Sequence, residues 1–285
     1  MRLQKIDNIN IEFFNRNGID LLLYEFTNIY ETDNVICFAQ TKVGSRVLDE
    51  LCGHENRYNA LLGIDKEQLY WPHVDMPEET RDKDKIERFR KILNNIVLGL
   101  EKRDIIFFYR NPLNRYVSGL YQDLLNFYED DTEESIWLQK LGLSSGVSTE
   151  HISDNLRKKL IPKIQNFLDI RLSETHEHGH LVMYLSGYMS LIHRGKMTQG
   201  SRVFLFNIES QDMNDILHNY IDTSKFAEIH KGKLNFSNRD LKNLIEEEFY
   251  GRSDDLLDVV RAKLKHEMNV YQLLRSSSLN YIPRS

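Results

Sequence analysis

The sequence predicts an α/β protein: a mostly parallel central sheet flanked by helices, with a helical C-terminal part. Three observations carry this expectation. Short apolar runs rich in β-formers recur along the chain, amphipathic helical patterns lie between them, and after Asn207 the pattern turns helical alone. Strands that alternate with helices imply parallel pairing, because each parallel pair needs a crossover connection. A chain of 285 residues that is 41% hydrophobic can close a substantial core. It has five prolines, no repeat period and no Pro/Gly-rich linker, so the expectation is a single domain over 1–285.

The apolar runs are "LLLYEF" (21–26), "VICFA" (35–39), "DIIFFY" (104–109) and "RVFLFN" (202–207). The last three show no polar alternation and read as strands buried on both faces. Helices are predicted over 46–51, 82–100, 112–127 and 155–168, with Asn111 suited to the N-cap and Pro112 to the first helical position of the third. Toward the C-terminus, Ser237 stands three residues before Asp240 in a capping pattern, and 254–274 continues as a second amphipathic helix. These two helices are expected to pack against the sheet. Residues 129–150 combine an acidic run, Trp137 and a Ser/Gly stretch, the composition of a lid, a partner surface or a solvated loop. The tail, 275–285, is expected to fray.

Composition narrows the function. A formal net charge of -6 argues against a nucleic-acid binder, since phosphate neutralisation along a duplex demands a basic surface, so any anion must be gripped locally. Two cysteines make no disulfide framework and suit a reducing compartment. The N-terminus has no apolar signal core, and no apolar stretch approaches the roughly 20 residues that span a bilayer. The expectation is a cytoplasmic protein with no membrane partner; oligomeric state is not readable from the pattern.

Two strand-to-helix junctions carry chemistry. In "TKVGSR" (41–46), Gly44 lets the backbone approach a ligand, the Ser45 hydroxyl can donate, Lys42 brings a point charge, and the amides of Val43 to Arg46 open a helix N-terminus. The lysine precedes the glycine by two, so the full Walker pattern is absent. The same stretch equally suits a tight turn capping a helix, with Lys42 in solvent. In "FFYRNPLNRYVSGLYQ" (107–122), Arg110 ends a strand with a planar fork fit for a phosphate, and Ser118 shares a helix face with Arg115. One site could then hold two separated anionic groups.

This pair of motifs resembles the sulfotransferases that use 3′-phosphoadenosine 5′-phosphosulfate (PAPS), particularly the carbohydrate and heparan-type branch. In that family a strand-loop-helix of the form Pro-Lys-x-Gly/Ala-Ser/Thr binds the 5′-phosphosulfate, and an Arg-Asp-Pro segment with a serine eight residues after the arginine binds the 3′-phosphate. Lys42, Gly44 and Ser45 match the first; Arg110 and Ser118, at the spacing of eight, match the second. Thr41 stands where proline is usual, Asn111 where aspartate is usual, and Arg46 where a small residue is common. The resemblance implies a P-loop-like sheet, PAPS as donor with adenosine 3′,5′-bisphosphate as product, and a saccharide or small-molecule hydroxyl as acceptor. "HKGKLNFSNRDL" (230–241) is similar to the family's stretch before its terminal helices, and Lys231 or Lys233 in it could add a 3′-phosphate contact or be solvated.

Transfer to a hydroxyl needs a general base near working pH, which histidine fits. His73 in "LYWPHVDM" lies between the two motifs, where related carbohydrate sulfotransferases carry a catalytic histidine. Asp75 could orient it, Glu78 and Glu79 are weaker bases, and a surface histidine beside Trp71 is the plain reading. His178 is the alternative base. It lies in "HEHGH" (176–180), which also fits a zinc hydrolase with His176 and His180 as ligands and Glu177 as base. Gly179 weakens the helix such a site needs, so no metal is expected there. A protein that binds the nucleotide without turnover is the third reading.

Overall fold

The three buried runs become three adjacent parallel strands. The computed structural model describes residues 27–40, 43–53, 56–59, 83–127, 152–173, 185, 188, 191, 202–210, 212–224, 239–252 and 255–276. In chain order its elements are β1 (Thr27–Glu31), β2 (Val35–Gln40), α1 (Ser45–Cys52), β3 (Arg57–Asn59), α2 (Lys83–Leu98), β4 (Asp104–Tyr109), α3 (Pro112–Phe127), α4 (Asp154–Ser173), β5 (Val203–Asn207), α5 (Met213–Leu217), α6 (Arg239–Tyr250) and α7 (Asp255–Ser276). The sheet order is β3-β1-β2-β4-β5.

The sheet is mixed. β2, β4 and β5 pair in parallel, whereas β1 runs antiparallel to both β2 and β3. The physical reason lies in the connection: only Thr32 to Asn34 separate β1 from β2, and so short a link allows antiparallel pairing alone. The Thr32 hydroxyl fixes that turn by accepting from the amides of Asn34 (3.4 Å) and Val35 (3.3 Å). β1 and β3 were not anticipated from the sequence, and the apolar run at 21–26 lies outside the described residues.

Register explains why β2 and β4 contain no polar alternation. Phe38 faces Phe107 across β2 and β4, and Phe108 faces Phe206 across β4 and β5. Consecutive strand residues point to opposite faces, so Phe107 and Phe108 serve the two sides of the sheet. On one side Phe38 and Phe107 stack at 4.6 Å, and Tyr188 packs on Phe107 at 4.8 Å. On the other, Phe108 and Phe206 meet edge to face at 5.6 Å.

The chain divides into two compact units, 1–109 with 183–221 and 270–285, and 110–182 with 222–269. The first holds the sheet, with α1 against β1 and α2 against β3. Its amino edge is closed by ion pairs. Glu31 accepts from Arg88 Nε (2.6 Å) and Nη2 (2.7 Å) and from Arg103 Nη1 (2.7 Å), while Glu101 holds the other side of Arg103 (2.9 Å). Burial pushes the Glu31 carboxyl up, but the bonds from Arg88 and Arg103 outweigh it and hold its pKa at about 2. Asp104 accepts from Arg202 and from the Tyr220 hydroxyl (2.7 Å).

The second unit is helix on helix. α6 packs on α3 and α4, and Tyr116, Leu120, Leu160, Phe167, Leu244 and Phe249 are among the residues of its buried core. The C-terminal helices were expected to pack on the sheet; instead α6 and residues 255–269 of α7 group with α3 and α4. Residues 270–276 of α7 group with the sheet, where Tyr271 meets Tyr109. Among the described residues, no helix is long and apolar enough to cross a membrane.

Candidate functional site

Because β2, β4 and β5 are parallel, their carboxyl ends share one edge of the sheet, the edge at which open α/β sheets bind ligands. The strands end there in Gln40, Tyr109 and Asn207, all buried. After β2, the amide of Val43 donates to the Gln40 carbonyl at 3.0 Å and Gly44 enters the left-handed region at φ 80° as N-cap of α1. The Gly44 carbonyl accepts from Val47 (3.0 Å) and Leu48 (3.3 Å), and no side chain caps the helix. The amides of Gly44 and Ser45 have no hydrogen-bond partner among the described residues. Orphan amides at a helix start favour an anion.

The turn is also built for the protein's own packing. A Cβ on Gly44 would lie 2.8 Å from Met213 Sδ, so the absence of a side chain admits α5, which the sequence reading did not foresee. Val43, expected from the sequence to offer its amide, is fully buried and its N–H is already bonded to the Gln40 carbonyl, so it has no donor left for an anion. Ser45 is half-buried and Arg46 falls in the first turn of α1.

A polar clamp sets the pose of α1. The Tyr30 hydroxyl, entirely buried on β1, is shared between the Ser45 carbonyl (3.1 Å) and Asp49 Oδ1 (3.1 Å). Arg57 of β3 donates to both Asp49 oxygens, at 3.2 and 3.4 Å. Burial, followed by the Asp49 charge, drives the Tyr30 hydroxyl well above its ordinary pKa, so it stays a proton donor.

The second junction follows the predicted cap. Asn111 Oδ1 accepts from the amides of Leu113 (2.9 Å) and Asn114 (3.3 Å), and its carbonyl takes the first helical bond from Arg115 (2.9 Å). Arg110, directly after β4, is half-buried, as is Ser118 two turns into α3. Arg115 is 1% exposed, a core guanidinium and not the surface partner of Ser118 that helical spacing implied.

Lys42, His73, His178 and Lys231 lie outside the described residues. So do Asp75, Glu78, Glu79, Lys233, the zinc-type set His176, Glu177 and His180, and the 129–150 segment. Among the described residues, no three His, Cys, Asp or Glu side chains gather as a metal site.

Sequence reasoning missed a polar group on the carboxyl edge. Asn207, 4% exposed at the end of β5, donates toward the Tyr271 hydroxyl (3.5 Å), which in turn donates to Glu209 (3.3 Å). Tyr271 lies edge-on to Tyr109 at 6.1 Å, and burial, then Tyr271, raises the Tyr109 pKa. The only sequence signal was a polar residue closing the apolar run "RVFLFN". No protein-family model, curated protein or solved structure matches the chain.

Proposed function

We propose that this protein is a PAPS-dependent sulfotransferase acting on a hydroxyl acceptor, in particular a saccharide. One observation carries the reading: β2 and β4, the strands that lead into "TKVGS" and "RNPLNRYVS", are parallel neighbours. The starts of both anion-type motifs therefore leave the same edge of one sheet. Unpartnered amides at Gly44 and Ser45 fit the group to be held at the first. The P-loop-like form of the fold, a cytoplasmic location and the absence of nucleic-acid or membrane partners belong to the same proposal.

The donor supplies an activated sulfuryl group, and the chain supplies positioning and charge. The amides of Gly44, Ser45 and Arg46 and the Ser45 hydroxyl hold a 5′-phosphate, while Lys42 offsets charge that grows on the leaving phosphate. Arg110 and Ser118 hold the 3′-phosphate, with Lys231 as an added contact. His73 takes the acceptor proton, and His178 is the alternative base.

Adenosine 3′,5′-bisphosphate is expected to raise the melting temperature, by linkage worth about 2.7 kcal/mol at a hundredfold excess over Kd. Lys42→Ala should damage transfer more than folding, whereas Arg110→Ala should mainly weaken nucleotide affinity. A wild-type protein whose melting temperature ignores millimolar bisphosphate rules the proposal out. Binding without transfer to any saccharide leaves the nucleotide-binding reading in its place.

A further inference from the structure

We infer that Arg57 tunes the charge of the β2–α1 turn, cancelling Asp49 so that the turn can hold an anionic phosphate. The inference rests on the nucleotide reading above and names how that same site is regulated electrostatically. Asp49 follows Ser45 by four residues on α1, and positions four apart lie on one helix face with Cβ atoms roughly 6 Å apart. A carboxylate one turn beneath the orphan amides of Gly44 and Ser45 opposes the anion that those amides favour. A like charge within about 10 Å, partly screened by solvent, lowers anion affinity roughly three- to tenfold.

The structure places a cation on that carboxylate. Arg57 Nη1 reaches both Asp49 oxygens, at 3.2 and 3.4 Å, and the pair is only partly exposed, with 14% of the Asp49 side chain open to solvent. Arg57 arrives from β3, a three-residue strand attached to β1, while Tyr30 on β1 fixes the other side of Asp49 and the Ser45 carbonyl. Asp49 is thus needed to seat α1 against the sheet, and Arg57 removes the electrostatic cost of having it there. A helix could be seated by a neutral residue; an ion pair at this position gives the turn a charge set from outside the loop.

A structural role and a charge role predict different outcomes in a double-mutant cycle. The measurement is calorimetric titration of adenosine 3′,5′-bisphosphate into the full chain, for Arg57→Ala, Asp49→Asn and the double variant, at about 50 and 500 mM salt. We expect Arg57→Ala to bind three- to tenfold more weakly at low salt, the defect to shrink at high salt, and Asp49→Asn to restore affinity in the Arg57→Ala background. Arg57→Lys should bind like the wild type, which keeps the test decisive if the alanine variant folds poorly.

Three results overturn the inference while leaving the nucleotide site standing: equal affinity in Arg57→Ala, a defect that salt does not change, or a double variant as weak as Arg57→Ala. The last would make Arg57 a direct ligand or a purely structural tie. A wild-type chain that binds no bisphosphate removes this inference together with the reading beneath it.

Discussion

Gly44 has two duties that a sequence cannot separate. Its φ of 80° is one that residues with a Cβ adopt at a cost of roughly 1–2 kcal/mol, and its bare Cα makes room for Met213. Gly44→Ala is therefore expected to lower stability by about 1–3 kcal/mol in urea unfolding, with an unchanged m-value. Measured against Met213→Ala alone, which has its own cavity cost, adding Gly44→Ala should cost only the backbone part; no cost in that background would mean that the strain is negligible. Arg115 teaches the converse lesson. Helical spacing put it beside Ser118, but spacing fixes a face and not a depth, and the guanidinium is buried.

Among the elements, α3 is the most faithful to its sequence. Asn111, Pro112 and the helical pattern behind them agree locally, and the helix starts where they say. Asn111→Ala should cost about 1 kcal/mol, and Asn111→Asp, also a good cap, close to nothing; a chemical-denaturation series measures both. β1 is the opposite case. "TNIYE" is short and half polar, and it becomes a strand because its neighbour β2 pairs with it through a tight turn. β3, at three residues, has too little pattern to be read at all. α5 is equally short, and its position follows from Met213 filling the space beside Gly44.

At the scale of the molecule, charge is divided between the two edges of the sheet. The amino edge is saturated with ion pairs, and the carboxyl edge carries orphan amides and the polar group of Asn207, Tyr271 and Glu209. The amino edge makes a pH prediction. Glu31 has its pKa lowered from 4.5 to about 2, so the folded state binds its proton later than the unfolded chain. Its contribution is complete above about pH 4.5 and disappears as the pH falls toward 2, with a slope of at most about 1.4 kcal/mol per pH unit. Glu31→Gln should unfold more readily at neutral pH and lose less on acidification, measured as melting temperature from pH 6 to 2. An identical acid limb in both proteins would show that the pairs with Arg88 and Arg103 add nothing.

The buried strands β2, β4 and β5, the helices between and after them, and the cap of α3 could all be read from the linear chain. Each of these is written in local periodicity and local hydrogen-bonding chemistry, which a linear reading can follow. The two segments on which the proposed nucleotide site rests were legible in the same way, through spacings within single segments. Tertiary packing alone established that β2 and β4 lie side by side, that β1 turns the sheet mixed, that α6 packs on α3 and α4, and that Arg57 reaches Asp49. Those depend on which surfaces meet across long stretches of chain, and burial and pairing between distant residues leave no periodic trace in the residues themselves.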